Sequence, residues 1–414
     1  MTNWLKTVPR VAAAAAVLGL VGGAPATAKV EGDTIIFGAA LSATGKYETN
    51  GKHTKNGYEL AVERINELGG VRVARKAYKI KIVYYDDEST PARGAQLAER
   101  LIKQDGIKYM LGPYSSGLTK AIAPVTEKHK IPMVEGNGAS RGLFNKGYEY
   151  IFGVLSTSEQ YLASAIHLAA EMAEKQGKDP STVKVALAVE NDPFSMDIRA
   201  GVLGDAGYYD MKVIIDDKLP KELNDMSATL TKVRALKPDV LVVSGHSKGA
   251  ATAVRQVAEM KVDVPMFAIT HCEAADVIGK FGANADYTLC ATQWAETMSY
   301  EDPWFGTAMD YAKDFEKEYG YMPPYQAAES TAAVLVYVDA IERANSFDTE
   351  EIRKALTETD MQTFYGNVKF DVTGKNIAKP MALRQIQNGE LKVVAPTKWA
   401  AVELIWPRPT WSER

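Results

Sequence analysis

The chain holds little that would build a metal or redox centre. Its 414 residues include two cysteines and five histidines, and no His-Glu-x-x-His stretch occurs. Cys272 and Cys290 have no histidine cluster beside them, which argues against zinc. They form either one structural disulfide of an oxidising compartment or two buried thiols. Excess positive charge is missing too. Lys and Arg number 48 against 52 Asp and Glu, a formal net charge of −4, and a nucleic-acid partner would call for a basic face. No phosphate loop of the Walker type is present. Long apolar runs are also lacking: Val11 to Ala24 spans about 14 residues where a bilayer needs about 20, and no later stretch is long enough.

What is present begins with an export segment. Lys6 and Arg10 form a basic start, Val11 to Ala24 an Ala-rich apolar middle, and Ala26-Thr27-Ala28 a small-residue cleavage pattern. Cleavage after Ala28 would leave a periplasmic chain starting at Lys29. No cysteine lies near that point, so a lipid anchor is not expected. The remaining length is too great for one ordinary core and points to two lobes.

Strand and helix patterns alternate along the chain, as parallel sheets require. Ile35 to Leu41 reads as a strand, Ser42 to Gly45 as a loop, and Asn56 to Asn66 as a helix. Lys79 to Tyr85 is a strand, followed by a helix that Thr90 caps and Pro91 starts. Tyr109 to Gly112 and Ile131 to Val134 continue the series. A second series has strands at Val183 to Val189, Met211 to Ile215, Val240 to Val243 and Met266 to Ile269. Two consecutive helices broken at Pro323-Pro324 follow. Gly366 to Asp371 and Met381 to Ile386 then read as strands joined by the turn Thr373 to Asn376. The fold class is therefore α/β, with two doubly wound Rossmann-like lobes.

Loops after strands carry small hydroxyl and glycine residues: Ser42 to Gly45, Ser115-Ser116-Gly117 and Gly136 to Ser140. In doubly wound sheets such loops gather at the carboxyl edge where ligands bind, and helix starts there favour an anion. Ordinary turn and cap chemistry selects the same residues. Gly136-Asn137-Gly138 lacks the third glycine of a dinucleotide fingerprint at the right spacing, so no nucleotide cofactor is expected. Gly245-His246-Ser247-Lys248-Gly249 has the spacing of a nucleophile elbow. Its only downstream histidine, His271, is too near for the usual triad, so a tight turn fits better than a hydrolase. Glu273, after the strand Met266 to Ile269, could face an ammonium held on the other lobe or could be a solvated loop acid. Tyr47, Phe194 and Trp294 could wall a pocket or simply pack. Asp86-Asp87-Glu88 reads as a solvated edge, not a metal site.

These residues resemble the branched-chain amino-acid (leucine/isoleucine/valine-type) binding proteins of ABC transporters, the type I periplasmic binding protein family. The carriers of the resemblance are Ile36 to Gly45, Asn56-Gly57-Tyr58-Glu59-Leu60-Ala61 with Ile65-Asn66 and Gly69-Gly70, Tyr84 to Glu88, Gly112 to Thr119, and Gly366 to Asp371 with Gly374. The resemblance implies three crossovers near 153–157, 293–297 and 365–372. It implies one lobe from 29–154 plus 296–366 and a second from 155–295 plus 367–414. It also implies a cleft that closes on a small solute by a hinge, an ABC permease as partner, a monomer and no enzymatic activity.

The resemblance further implies a ligand set. An amino acid's carboxylate would be held by Ser116 and by the loop of Gly138, Ala139 and Ser140, its ammonium by Glu273, and its side chain by Tyr47 and Phe194, with His246 reaching the cleft. Charge-assisted hydrogen bonds at both ends of a zwitterion would orient it. The chain departs from the family in Phe194, where tyrosine is frequent, and in cysteines placed in the second lobe. Relatives that bind aromatic acids, amides or urea, and a ligand-sensing receptor subunit, are the alternatives.

Overall fold

Aliphatic strands ending in serine- and glycine-rich loops build two parallel-cored sheets, in a computed structural model that describes residues 29–414. The export segment read at 1–28 lies outside the described residues. The first sheet contains β1 (Val30–Glu31), β2 (Thr34–Leu41), β3 (Val71–Val73), β4 (Lys76–Asp86), β5 (Met110–Leu111), β6 (Met133–Glu135) and β7 (Ile151–Gly153). Its order is β3-β4-β2-β5-β6-β7, with β1 added to β2. From Ile35 onward β2 is buried, as expected of a parallel strand covered on both faces. The rings of Phe37, Tyr109 and Tyr337 meet on one face at 5.0–5.5 Å.

The second sheet begins with β8 (Lys184–Glu190), β9 (Lys212–Leu219), β10 (Val240–Ser244), β11 (Met266–Ile269) and β12 (Leu289–Thr292). Two short ribbons follow: β13 (Glu301–Asp302) with β14 (Gly306–Thr307), and β15 (Asp360–Thr363) with β16 (Gly366–Lys369). Then β17 (Ala382–Gln387) and β18 (Glu390–Ala395) complete the second sheet in the order β18-β17-β12-β11-β10-β8-β9. One expectation needs correction. The strands around 366–371 and 381–386 are not partners across the turn Thr373 to Asn376. Strand β16 pairs with β15, while β17 pairs with β12 and β18. The turn instead docks on the end of β7, where the Gly153 N–H donates to Gly374 O at 2.9 Å.

The helices are α1 (Glu48–Glu67), α2 (Pro91–Lys103), α3 (Ser116–His129), α4 (Ala163–Lys175), α5 (Pro193–Tyr208), α6 (Ser227–Leu236), α7 (Ser247–Glu259), α8 (Val277–Phe281), α9 (Ala308–Tyr319), α10 (Tyr325–Ala344) and α11 (Thr349–Thr357). Helix α10 crosses α1 so closely that a Cβ on Gly57 would lie 2.2 Å from Ala327 O. That approach explains the glycine of the Asn56-Gly57 pair.

The chain passes between the sheets after β7, after β12 and between β16 and β17. These passages are bonded to one another. The Ser156 N–H donates to Gln293 Oε1 at 3.1 Å, Gln293 Nε2 donates to Ser156 O at 2.9 Å, and on the third passage Lys379 Nζ donates to Gln293 O while Lys379 O accepts from Ser156 Oγ at 2.5 Å.

Candidate functional site

The carboxyl ends of both sheets face each other across a cleft, and the loops there meet. A small enclosed cavity of about 10 Å³ lies between the lobes. Tyr114, Ser115, Ser116, Asn137, Tyr325, Gln326 and Glu329 line it from the first lobe's elements; Tyr161, Phe194, His246 and His271 line it from the second's. Several of these residues stand at helix starts. Ser116 begins α3, Phe194 is second in α5, His246 immediately precedes α7, and Tyr325 and Gln326 open α10. The unpaired N–H groups of a helix start attract negative charge, so four helices make this small volume favourable to an anion.

The lobes are joined here by buried polar contacts. The Tyr114 hydroxyl lies 2.7 Å from His246 Nδ1 and 2.8 Å from His271 Nε2. Ser247 Oγ donates to Asn50 Oδ1 at 2.8 Å, Ser140 Oγ donates to Asp197 Oδ2 at 2.6 Å, and Lys46 Nζ donates to Glu190 Oε2 at 2.8 Å. His246 Nε2 is 3.0 Å from Asp192 Oδ2. Burial pushes the Asp192 carboxyl upward, but the charge and hydrogen bond of His246 outweigh it and hold the group at about 2. Burial, helped by the neighbouring His246, drives the His271 imidazole well below its ordinary value. His271 is therefore neutral.

Glu190, Asp192 and His246 each offer a ligand atom within 4.8 Å of the others, a geometry that could hold a metal ion. The Lys46 ammonium already rests on Glu190, and His246 already holds Asp192. The charge that a cation would supply is thus in place.

The expected site residues divide into two groups. Ser116, Phe194 and His246 line the cavity. Tyr47 does not; its ring packs edge-on against Tyr114 at 5.4 Å and His246 at 4.8 Å and covers them. Gly138 is also set back, because its N–H is taken by the buried Glu135 carboxyl at 2.6 and 2.7 Å. Burial holds that carboxyl up at about 8 against the pull of the Asn137 and Gly138 N–H groups. Ala139 is buried behind the loop, where its carbonyl accepts from Ser158 N–H. Ser140 latches the lobes through Asp197, and its N–H donates to Ser116 Oγ at 2.9 Å. From this loop it is Asn137 that reaches the cavity.

Glu273, expected opposite Ser116, stands outside. His271, at φ +64°, turns the chain after β11, and Cys272 is bonded to Cys290 on β12. Together these put the His271 ring into the cavity and send Glu273 the other way. Glu273 lines a separate, wide groove of about 1400 Å³ between the lobes, with Glu48, Lys52, His53, Tyr84, Glu296 and Arg384 among its walls. There Arg384 bonds Glu273 at 3.4 Å and Glu296 at 3.0 Å. Burial pushes the Glu273 carboxyl up to about 7 against the pull of Arg384.

Cavity residues to which sequence reasoning gave no ligand role are Tyr114, Asn137, Tyr161, His271, Tyr325, Gln326 and Glu329. The signal for His271 was its place two residues before Glu273 in the same loop. For Tyr325 and Gln326 it was the helix start after Pro323-Pro324.

Comparison with known proteins places the chain. The family model described as periplasmic binding protein matches residues 34–390. The Leu/Ile/Val-binding protein homolog 7 of Brucella suis biovar 1 (strain 1330) is 24% identical over 405 residues, covering 94% of this chain and 97% of the other. Among solved structures, the branched-chain amino acid transporter substrate-binding protein LivJ of Streptococcus pneumoniae, in complex with isoleucine, is similar at TM-score 0.73 and 22% identity, over 88% of this chain and 100% of that one. A solute-binding protein of an ABC transporter from R. palustris, in complex with benzoate, is similar at TM-score 0.73 and 18% identity, over 89% and 97%. At such identities the structural likeness speaks for the two-lobed α/β fold. The family match spans nearly all of the described chain, and the chain belongs to the periplasmic binding protein family.

Proposed function

We propose that this protein is a monomeric periplasmic carrier that captures a small organic acid, foremost an aromatic carboxylate, between its lobes and delivers it to an ABC permease. The observation that carries this reading is the pairing of Ser116 and several helix starts with the neutral His271 in one enclosed volume. Helix N–H groups and the Ser116 hydroxyl would hold a carboxylate. An α-ammonium buried opposite would need a charged partner, and Glu273 is turned away into the wide groove. Phe194, Tyr161 and Tyr325 offer ring faces and edges to an aromatic solute. The R. palustris relative with bound benzoate is in line with this choice.

A cavity of about 10 Å³ holds about one water molecule, so admission of such a solute requires the lobes to part. The joined passages at Ser156, Gln293 and Lys379 are the natural hinge. We take the lobes as 29–154 with 296–366 and 155–295 with 367–414; membership of the two large sheets supports the first two boundaries, whereas β16 pairs with β15 across the third.

A branched-chain amino acid is the second reading. It is favoured by Glu329 on the cavity wall, the one carboxyl there able to meet an ammonium, and by the LivJ relative with isoleucine. Burial, with the nearby Glu135, raises Glu329 well above the carboxylate range, which keeps it uncharged and weakens that role.

A thermal-shift panel of aromatic acids, amino acids and amides tests the choice, because a bound solute raises apparent stability. Benzoate-type acids should shift the transition and leucine should not. A shift with leucine alone would reverse the order of the two readings.

A further inference from the structure

Gln326 is 1% exposed, lines the inter-lobe cavity, and has no hydrogen-bond partner for either Nε2 or Oε1. Its backbone is firmly placed: Ser330 Oγ donates to Gln326 O at 2.6 Å, and Asn137 Nδ2 donates to Ser330 Oγ at 2.8 Å. Two further buried atoms on residues lining the same cavity are also unpaired, namely Tyr325 Oη and Asn137 Oδ1. Leaving a buried polar group unpaired is costly, so four such atoms on residues around one small volume mark a place built to be occupied by a polar group.

The chemistry of the four atoms limits that group. Gln326 Oε1 and Asn137 Oδ1 only accept, so they need a donor. Gln326 Nε2 only donates, so it needs an acceptor. Tyr325 Oη does either. A carboxylate supplies acceptors alone, and an alkyl chain supplies nothing. A hydroxyl both donates and accepts.

We infer that Gln326, supported by Asn137 and Tyr325, is a specificity-determining residue that reads a hydroxyl group on the solute, making the preferred ligand a hydroxylated aromatic acid. This rests on the organic-acid reading above and sharpens it. Ser116 and the helix starts would take the carboxylate, and Gln326 would take the ring hydroxyl. A site built to hydrogen-bond a hydroxyl discriminates strongly against the analogue that lacks it.

The test is titration calorimetry of the mature chain with benzoate, 3-hydroxybenzoate and 4-hydroxybenzoate, in the wild type and in Gln326→Met, with Tm measured in the absence of solute. In the wild type at least one hydroxybenzoate should bind about tenfold tighter than benzoate, or better. In Gln326→Met that preference should fall to within about twofold, and Tm without solute should be unchanged or higher, because an unpaired buried amide has been replaced by an apolar group of similar shape. Equal binding of benzoate and both hydroxybenzoates in the wild type would overturn the inference while leaving the carrier reading intact. A preference that survives Gln326→Met, or a clear fall in Tm without solute, would overturn it as well, the latter by showing a structural role. Binding of amino acids with no binding of any of the three acids would overturn the organic-acid reading and this inference together.

Discussion

The hydroxyl of Tyr114 on the first lobe lies 2.8 Å from Nε2 of His271 on the second. The same oxygen is 2.7 Å from His246 Nδ1, so one phenol spans the cleft to two buried imidazoles. With a single proton, it donates to one nitrogen and accepts from the other. Asp192 holds the far side of His246 at 3.0 Å and fixes a proton on Nε2. The cleft is thus closed by a directional chain from the first lobe to an ionised carboxylate of the second.

Replacing Tyr114 by Phe removes both bonds and leaves two buried imidazole nitrogens without partners. Such orphaned groups cost about 1–3 kcal/mol. The variant should favour a parted cleft, seen as a larger radius of gyration in solution scattering and as a lower Tm. An unchanged radius and Tm would mean that the bridge carries no closing energy.

Glu273 and Arg384 give a second contrast. Arg384→Ala would leave the part-buried Glu273 and Glu296 without their cation, and breaking a pair this way costs up to about 3–5 kcal/mol where burial is complete. Glu273→Gln keeps the shape and removes a charge remote from the cavity, so solute affinity should stay within about threefold. Denaturant unfolding and calorimetry check the two halves. Loss of all binding in Glu273→Gln would restore Glu273 as the ligand's partner and favour the amino-acid reading.

Much of this was legible in the sequence. Buried aliphatic strands alternating with helices gave both lobes, because a parallel strand covered on two faces leaves a plain hydrophobic run. Ser116, Phe194 and His246, named through the family resemblance, follow strands directly at helix starts and line the cavity. Glu273 lines the wide groove and not the small cavity, because loop direction is not written in residue type. The left-handed turn at His271 and the Cys272 bond reverse which of two neighbouring side chains lines the small cavity. Strands 366–371 and 381–386 misled for a related reason: a short turn between two strands suggests a hairpin, and only the assembled sheets show each pairing elsewhere. Gln326 was invisible because a glutamine early in an apolar helix announces nothing until its partners are counted.

His53 supplies a pH dependence. It sits in the wide groove 2.9 Å from the Tyr321 hydroxyl, and burial lowers its imidazole to about 4. The unfolded chain takes up that proton near pH 6.5 and the folded one only near 4. Stability is therefore fully present above about 6.5 and is lost as pH falls toward 4, by on the order of 3 kcal/mol. Denaturant unfolding at pH 7 and 4.5 should show a smaller drop for His53→Gln than for the wild type. Equal drops would exclude His53 as a source.

The Cys272–Cys290 bond closes a loop of sequence separation 18. Removing it should cost about 3 kcal/mol through the freedom returned to the unfolded chain. Because the bond also sets the His271 turn, the Cys272→Ala/Cys290→Ala double variant should lose solute affinity along with Tm. Retained affinity in a folded double variant would separate the bond from the site.

The most direct measurement is calorimetric titration of the wild type and Ser116→Ala with benzoate-type acids and with leucine. The acids should bind the wild type, Ser116→Ala should weaken them by about tenfold through loss of a hydrogen bond to a charged group, and leucine should give no heat of binding. Tight binding of leucine, with the aromatic acids inert, would contradict the assignment of this cleft to an organic acid without an ammonium group.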